Sequence, residues 1–283
     1  MDTKLVSKFK YKMNNFVHPK VKAKMINSFK KIYRNIFSET FRMHLKSSER
    51  KWKGYFLKGN QVECNCCGKT YRKFLPKGNL ELRNNVMCPN CGSLERNRLL
   101  LFYLENETSF FHDAKRILHF APEEGLKLVF QKRKKKDEYV NGDINPNLAD
   151  EVIDITSIPY PENSFDYIIC SHVLGHVPDE KKAIEELYRV LKPDGELIVM
   201  TLINSKNIPT LEDEKITNPE ERLKLYGERS LVRLHGNDFQ NRLEKPGFQV
   251  EVLDYEKKLD QNTVNRFRLH NNSRGSFFIG KKS

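Results

Sequence analysis

The stretch VIDITSIPYPENSFDYIICSHVLGHVPDEKKAIEELYRVLKPDGELIVMT, residues 152–201, indicates the fold class of the chain. Two short apolar runs, FDYIICS (165–171) and ELIVMT (196–201), are typical of buried strands. Between them, residues from Glu180 to Leu191 follow the spacing of an amphipathic helix. Strands that alternate with helices predict an α/β domain with a parallel sheet covered by helices.

The same alternation continues on both sides of this stretch. We predict a helix over LERNRLLLFYLENE (94–107) and a short one near DFQNRLEK (238–245). The last two apolar runs are expected to close the sheet as an antiparallel pair. The further predicted elements are strand RILHF (116–120), helix GLKLVFQKR (125–133), and strands EYVNGD (138–143), EVIDI (151–155), FQVEVLDY (248–255) and SFFIGKK (276–282).

The positive charge of the chain lies at its N-terminus. Residues 1–60 contain sixteen Lys and Arg side chains against three acidic ones, an excess of thirteen that equals the formal excess of all 283 residues. The remainder is formally neutral, so the basic character belongs to an N-terminal arm. Such an arm attracts polyanions, either nucleic-acid phosphates or an anionic membrane face.

Apolar residues recur at helical spacing within this arm and predict two amphipathic helices separated by Pro19. They either pack on the rest of the protein or dock on a membrane surface or RNA. No run of eighteen apolar residues and no secretory signal are found, so we expect a cytoplasmic protein, peripheral to the inner membrane face if the arm binds lipid. The apolar positions are Leu5, Phe9, Met13, Phe16 and Val17, then Met25, Ile26, Phe29, Ile32, Tyr33, Ile36 and Phe37.

Five of the six cysteines lie between residues 61 and 93 and form two C-x-x-C-G motifs. Cys64, Cys67, Cys88 and Cys91 have the spacing of a zinc ribbon, in which four thiolates bind one Zn²⁺. Two disulfides are the less favoured alternative, because the chain lacks a secretory signal. Since no coordination position stays open, we expect a structural zinc; Cys66 is then a spare and Cys170 a core residue.

Polar residues follow several predicted strands at the edge where α/β sheets bind ligands. The segment ILHFAPEEG (117–125) has the layout of a nucleotide-binding loop, and Asp143 follows it by eighteen residues. Asp154 ends the next strand, and Ser171 and His172 end the strand after that. Turn capping is the alternative role for both aspartates.

These segments resemble the class I S-adenosylmethionine-dependent methyltransferases, in particular the ubiquinone-biosynthesis, or type 11, group. The likeness rests on DITSIPYPENSFDYIICSHVLGHVPD and ELYRVLKPDGELIVMT, and CPNCGSLERNRLL with LHFAPE is similar to bacterial proteins that join a zinc ribbon to this domain. It implies a Rossmann-like, seven-stranded, mostly parallel sheet with an antiparallel last strand. The implied domains are an arm (1–58), a zinc ribbon (59–95) and a methyltransferase domain (96–283) with a substrate cap at 204–236.

The glycine-rich loop departs from the pattern of that family. His119 replaces the usual acid, Ala121 and Glu123 replace two glycines, and Gly125 remains. Glu123 or Glu124 could supply the carboxylate for the amino group of S-adenosylmethionine, although a helix N-terminal charge is the alternative role. A pyrophosphate would be repelled by two glutamates at this position, which favours S-adenosylmethionine over NAD.

The resemblance also implies roles for the strand-end residues. Asp143 should bind the ribose, Ile144 should pack on adenine, and Asp154 with the backbone of Ile155 should recognise the adenine edge. His172, His176 and His235 are candidate bases for a hydroxyl acceptor, with a structural role as the alternative for each. Gly175 stands where the family often carries an acid.

The methyl acceptor is less constrained by the sequence. We expect a glycan or small-molecule hydroxyl by analogy, beneath a cap with polar candidates Glu220, Glu221, Arg222, Arg229 and Arg233. One alternative is an RNA methyltransferase that binds RNA through its arm and through aromatic and basic ribbon residues such as Tyr71, Arg72, Lys73, Phe74, Lys77 and Arg83. Another is a non-catalytic scaffold whose altered loop has lost the cofactor.

Overall fold

The computed structural model describes residues 37–78, 82–112, 116–270 and 276–282. Two units are distinguished within the chain, Met1–Glu49 and Arg50–Ser283. The described elements are, in chain order, α1 (Glu39–Tyr55), β1 (Lys58–Cys64), β2 (Lys69–Tyr71), β3 (Leu75–Lys77), β4 (Arg83–Met87), α2 (Glu95–Asn106), β5 (Ile117–Phe120), α3 (Glu124–Arg133), β6 (Tyr139–Asp143), β7 (Glu151–Val152), β8 (Phe165–Ser171), α4 (Glu180–Val190), β9 (Leu191–Met200), β10 (Leu211–Glu212), α5 (Pro219–Tyr226), β11 (Arg233–Leu234), α6 (Phe239–Glu244), β12 (Phe248–Asp254), α7 (Gln261–Phe267) and β13 (Ser276–Lys282).

The central sheet has seven strands in the spatial order β12-β13-β9-β8-β5-β6-β7. β13 pairs antiparallel with both of its neighbours, whereas the other pairings are parallel. This confirms the predicted mostly parallel sheet with an antiparallel last strand. The carboxyl ends of β5, β6, β8 and β9 consequently meet at one edge of the sheet.

The strands were predictable because the sheet is covered on both faces. β8 is buried from Tyr167 to Ser171, and a near-continuous apolar run is what a doubly covered parallel strand requires. α4 covers one face with a stripe of four buried residues, and its N-terminus is capped by the Asp179 side chain, which accepts from the Lys182 N–H. The stripe comprises Ala183, Ile184, Leu187 and Val190.

Several elements differ from the sequence-based prediction. β7 ends at Val152, before the predicted Ile155, because the Asp154 carboxylate accepts from the Thr156 N–H and hydroxyl and turns the chain. Helices α5 and α7 were not predicted. Each buries only one residue, Tyr226 or Val264, so neither carries the apolar periodicity that a sequence reading depends on. Their starts are fixed by side-chain caps, Asn218 and Asp260.

The N-terminal arm is described only in part. The two helices predicted before residue 37 lie outside the described residues. α1 was not predicted; it begins in the first unit and ends in the second. In the described part of the chain, none of the helices combines the length and apolarity needed to span a bilayer.

Candidate functional site

Four cysteine thiols converge beside the central domain. The Sγ atoms of Cys64, Cys67, Cys88 and Cys91 all lie within 4.8 Å of one another. The Cys64–Cys91 and Cys67–Cys88 separations are 3.6 and 3.7 Å. A tetrahedral zinc with bonds of about 2.3 Å would hold its sulfur ligands roughly 3.8 Å apart. The cluster therefore has the residue types, number and spacing that fit one zinc ion.

Each C-x-x-C-G motif ends in a turn whose backbone conformation favours glycine. Gly68 and Gly92 adopt φ angles of +66° and +73°, and their N–H groups donate to the carbonyls of Cys64 and Cys88. Cys66 lies outside the four-thiol group. Cys170 is completely buried, and burial raises the pKa of its thiol to about 12, which agrees with a core role rather than a nucleophilic one.

The cysteine cluster lies directly against the start of α3. A Cβ added at Gly125 would be 3.2 Å from Cys91 Sγ and 3.0 Å from the Ser93 side chain. The Ser93 hydroxyl in turn lies 3.0 Å from Cys64 Sγ. Gly125, the one retained loop glycine, thus faces the cysteines. It does not line the cavity at the carboxyl ends of β5, β6 and β8.

The segment that contains the four cysteines, residues 59–95, is here called the cysteine module. Two side chains of α2 connect it to the rest of the domain. Arg98 is fully buried and donates to the carbonyls of Ser93, Phe267 and Arg268. Asn97 donates from Nδ2 to Glu123 Oε1 at 2.8 Å. Because Asn97 also accepts from the Leu94 N–H, it fixes the loop after the second cysteine pair against the loop after β5.

The loop after β5 keeps the turn of a glycine-rich loop without its glycines. Ala121 has a φ of +48°, a conformation that glycine adopts at lower cost, and its N–H donates to the Gly142 carbonyl at 2.9 Å. His119 Nε2 lies 3.3 Å from Glu123 Oε2. His119 and Glu123 are therefore in contact across one turn of this loop.

Glu123 is held by a set of polar partners. Its Oε1 also accepts from the Ser171 hydroxyl at 3.0 Å, and Arg96 Nε lies 3.8 Å away. Burial opposes ionisation of Glu123, but the hydrogen bond from His119 and the charge of Arg96 outweigh it and keep the pKa of the carboxyl below its usual range. Glu124, in contrast, is half exposed and pairs with Arg50 at 2.9 Å. Of the two glutamates, only Glu123 is directed toward the strand ends.

A cavity of about 490 Å³, the strand-edge cavity, opens at the carboxyl ends of β5, β6 and β8. Its wall is largely apolar and includes Asp143 and Asp154. The Asp143 carboxylate accepts from the Asn145 N–H and the Asp154 carboxylate from the Thr156 N–H, so both also have the turn-capping role predicted as the alternative. Ile144 is 73 % exposed there, although an isoleucine side chain gains by being covered. Of the predicted cofactor residues, Ala121, Asp143, Ile144, Asp154 and Ile155 line this cavity, whereas Glu123, Gly125 and Ser171 do not.

A smaller cavity of about 120 Å³, the cap cavity, adjoins the first one beneath residues 228–235. His172 and His176 line both cavities, so they mark the junction between them. His172 has a φ of +55°, which is costly for a residue with a side chain. Strain of this kind is retained where the surrounding structure demands one side-chain position.

His235 lies in the wall of the cap cavity and is 1 % exposed. Its Nε2 is 2.5 Å from Glu180 Oε1, and its Nδ1 is 2.7 Å from the Thr201 hydroxyl. Burial lowers the pKa of His235, so the imidazole is neutral at pH 7. Burial opposes ionisation of Glu180, but His235 and two arginines keep its pKa low, so it only accepts hydrogen bonds. Nε2 therefore carries the hydrogen, and Nδ1 accepts from Thr201.

The cap residues divide between structural and exposed positions. Arg233 is buried and donates to the carbonyls of Leu174, Val177 and Pro178, which anchors β11. Glu220 and Arg229 pair on the surface, Glu221 is exposed, and Arg222 donates to the Ile216 carbonyl. Gly175 lies against the cap, because a Cβ there would be 2.7 Å from Leu231.

Sequence reasoning missed Arg96, Asn97, Thr201 and Glu180. Thr201 gave one signal, since it ends the strand ELIVMT at the ligand-binding edge. Arg96 and Asn97 lie in a helical pattern whose charged residues are indistinguishable from a solvated face. Their roles depend on contacts with Glu123, 26 or 27 positions away in the chain.

Part of the chain is similar to known proteins. Residues 110–199 match a family described as "Methyltransferase domain". The "Ubiquinone/menaquinone biosynthesis C-methyltransferase UbiE" of Hydrogenovibrio crunogenus is 36% identical over 84 residues, 30% of this chain and 29% of the relative. The "Demethylmenaquinone methyltransferase" of Listeria welshimeri is 44% identical over 52 residues, 18% of this chain and 22% of the relative.

A solved S-adenosylmethionine-dependent methyltransferase from Mesorhizobium loti has a TM-score of 0.44 and 14% identity, over 63% of this chain and 100% of that one. The family match, residues 110–199, includes every residue that lines the strand-edge cavity. The chain spans less than a third of the length of either curated relative.

Proposed function

We propose that this chain, whose residues 110–199 carry a methyltransferase domain, is an S-adenosylmethionine-dependent methyltransferase that acts on a hydroxyl of a glycan or small molecule. The single observation that carries the proposal is the junction of two cavities. One fits the cofactor, the adjoining one leads to a proton acceptor, and His172 and His176 stand between them.

The strand-edge cavity fits S-adenosylmethionine in size and in chemistry. Its apolar wall and the exposed Ile144 suit an adenine ring, and the Asp143 carboxylate suits the ribose hydroxyls. Asp154 and the Ile155 backbone suit the adenine edge. Glu123, with Ser171 beside it, would hold the cationic amino group. When bound, the cofactor supplies an electrophilic methyl group.

The cysteine cluster is proposed to hold a structural zinc ion. Four thiols and no further ligand leave no coordination position for catalysis. The contact of Gly125 with Cys91 supports a role in shaping the loop after β5. On this account the zinc ribbon forms part of the scaffold of the cofactor site.

Thr201, His235 and Glu180 are proposed as the route by which the acceptor loses its proton. The acceptor oxygen would take up the methyl group as the bond between that methyl and the cofactor's sulfur breaks, and the acceptor's proton would pass to Thr201 Oγ. The Thr201 proton passes to His235 Nδ1, and the resulting imidazolium is stabilised by Glu180. His235, predicted as a direct base, would therefore act through Thr201.

A hydroxyl acceptor is favoured over a ring carbon by the lining of the cap cavity. His172, His176, Thr201 and Arg96 place polar groups among the leucines of its wall, which suits a hydroxylated molecule better than an apolar quinone. The curated relatives are named for carbon methylation, but their matches cover too little of either chain to transfer an acceptor.

Thr201→Val is expected to lower the rate of methyl transfer by about 100-fold, because valine keeps the shape of threonine but removes the hydroxyl. The affinity for S-adenosylmethionine should stay unchanged, since Thr201 does not line the strand-edge cavity. Thr201→Ser, which keeps the hydroxyl, should retain most of the rate. Equal rates for the Val variant and the parent protein would exclude the proposed proton route.

The acceptor class is tested with tritium-labelled S-adenosylmethionine offered to polyhydroxylated carbohydrates, a demethylated quinone and total RNA in parallel. We expect label in the carbohydrate fraction. Label in RNA alone would contradict the hydroxyl proposal and favour the RNA methyltransferase alternative. Label in the quinone alone would contradict it and favour methylation of a ring carbon. Cofactor binding without label in any fraction would count against all three.

The basic arm is proposed to contact an anionic membrane surface, which would place the enzyme at the membrane periphery. The charge excess of residues 1–60 supports attraction to either lipid or RNA. A more specific surface lies at the end of α1.

A further inference from the structure

Three aromatic side chains project from the chain where α1 ends. Trp52, Tyr55 and Phe56 are 59%, 64% and 56% exposed. Residues three and four apart share one face of a helix, so the three rings form a single projecting group, here called the aromatic cluster. Exposed aromatics that touch one another are a marker of an interaction surface.

The aromatic cluster is held rigidly by the cysteine module. Gly54, between Trp52 and Tyr55, is buried, and a Cβ at its position would be 2.6 Å from Pro89 Cβ. Arg50 donates to the carbonyls of Pro89 and Asn90 at 3.2 and 2.9 Å. The last turn of α1 is therefore fixed on the second cysteine turn, and its aromatic side chains are turned outward.

The charge next to the aromatic cluster is mostly positive. The segment RKWKGYFLK (50–58) contains four cationic residues, of which Arg50 pairs with Glu124, and Glu49 directly precedes it. Lys51, Lys53 and Lys58 are exposed, and Lys58 Nζ lies 4.3 Å from the centre of the Tyr55 ring. Apolar rings surrounded by amines complement an anionic bilayer, in which the rings enter the headgroup layer and the amines meet phosphate.

The ring geometry favours lipid over RNA. Trp52 and Phe56 meet at 75° with centroids 4.9 Å apart, and Tyr55 and Phe56 meet at 87°. Base stacking requires open ring faces, whereas in each of these pairs the edge of one ring meets the face of the other, and Lys58 lies over the Tyr55 ring. Insertion into a bilayer interface requires only a compact group of apolar side chains with cationic residues around it.

We infer that Trp52, Tyr55 and Phe56 insert into the headgroup layer of an anionic membrane and seat the protein there. This deepens the proposed membrane contact of the arm by naming the residues that enter the lipid. It does not depend on methyl transfer, so the two can fail separately. The inference also predicts that the cysteine module, which carries the aromatic cluster, faces the bilayer.

Trp52 is the only tryptophan of the chain, so its fluorescence reports on the aromatic cluster directly. The full-length, zinc-loaded protein is titrated with vesicles of phosphatidylglycerol and phosphatidylcholine in equal parts, with phosphatidylcholine alone and with single-stranded RNA. We expect a blue shift and quenching by brominated acyl chains with the anionic vesicles only, and reversal in high salt. Vesicle binding without a change in Trp52 emission would overturn the inference, as would a response to RNA alone.

Variants separate the aromatic cluster from the rest of the basic arm. Tyr55→Ser with Phe56→Ser should weaken partitioning into anionic vesicles by at least about tenfold, while Trp52 remains as the reporter. Leu128→Ser, at a position on α3 that is 54 % exposed, is the matched control and should partition normally. Equal partitioning of the double variant and the control would contradict the inference. Thermal unfolding, measured in parallel, reports whether each variant keeps its folded domain.

Discussion

Cys91→Ser is expected to lower the affinity for S-adenosylmethionine by at least about 100-fold, although Cys91 does not line the strand-edge cavity. The reason is the contact of Cys91 Sγ with Gly125 and Ser93. Losing one of four thiolates removes most of the free energy that a structural zinc contributes to folding. Without that support, Asn97 no longer orients Glu123.

The measurement pairs zinc content with calorimetric titration of the cofactor. Cys66→Ser is the matched control, because Cys66 is a neighbouring buried cysteine outside the four-thiol group. It should keep both zinc and cofactor affinity close to those of the parent. A Cys91→Ser protein that has lost zinc but binds the cofactor normally would show that the cysteine module is independent of the site.

The second large effect is expected at Glu123. Glu123→Gln should reduce cofactor affinity roughly 10- to 150-fold, because a charge-assisted hydrogen bond to a cationic amine contributes about 1.5–3 kcal/mol. Glu124→Gln is the internal control, since Glu124 is half exposed and pairs with Arg50. It should change the affinity by less than about threefold. Equal losses in both variants, or in neither, would contradict the assignment of Glu123.

The pH dependence of folding stability tests the environment of Glu123 independently of cofactor binding. The pKa of Glu123 is lower in the folded protein than its ordinary value, despite burial, because His119 and Arg96 favour the charged form. The contribution of ionised Glu123 to the free energy of unfolding is therefore fully present above the unfolded-state pKa of about 4.3. It is lost as the pH falls through the lower pKa of the folded state. Thermal unfolding of the Glu123→Gln variant should lack this acidic dependence.

Much of the fold could be predicted because its signals are local. β8 and β13 were predicted with the bounds observed, since buried strands read as apolar runs between turns. The four cysteines were identified because metal-ligand spacing is fixed within each turn. In contrast, α5 and α7 bury one residue each, and β7 was shortened by the side chain of Asp154.

The site was predictable where its residues end strands, and less so where it depends on distant contacts. Asp143 ends β6 and His172 follows β8, as predicted from position, whereas Asp154 lies two residues beyond the end of β7. The environment of Gly125 was not predicted, because Cys91, the cysteine that it faces, is more than thirty residues away in the chain. His235 was identified by residue type, but its burial and its two partners are tertiary properties that a sequence window does not contain.

The most direct test of the central claim is calorimetric titration of the zinc-loaded protein with S-adenosylmethionine, followed by the same titration of Asp143→Ala. Micromolar binding by the intact protein is expected, with a loss of roughly 10-fold or more in the variant, because a carboxylate that binds the ribose hydroxyls is removed. No binding by the intact, folded protein would contradict the account and leave the domain as a scaffold. Unchanged binding by Asp143→Ala would place the cofactor elsewhere.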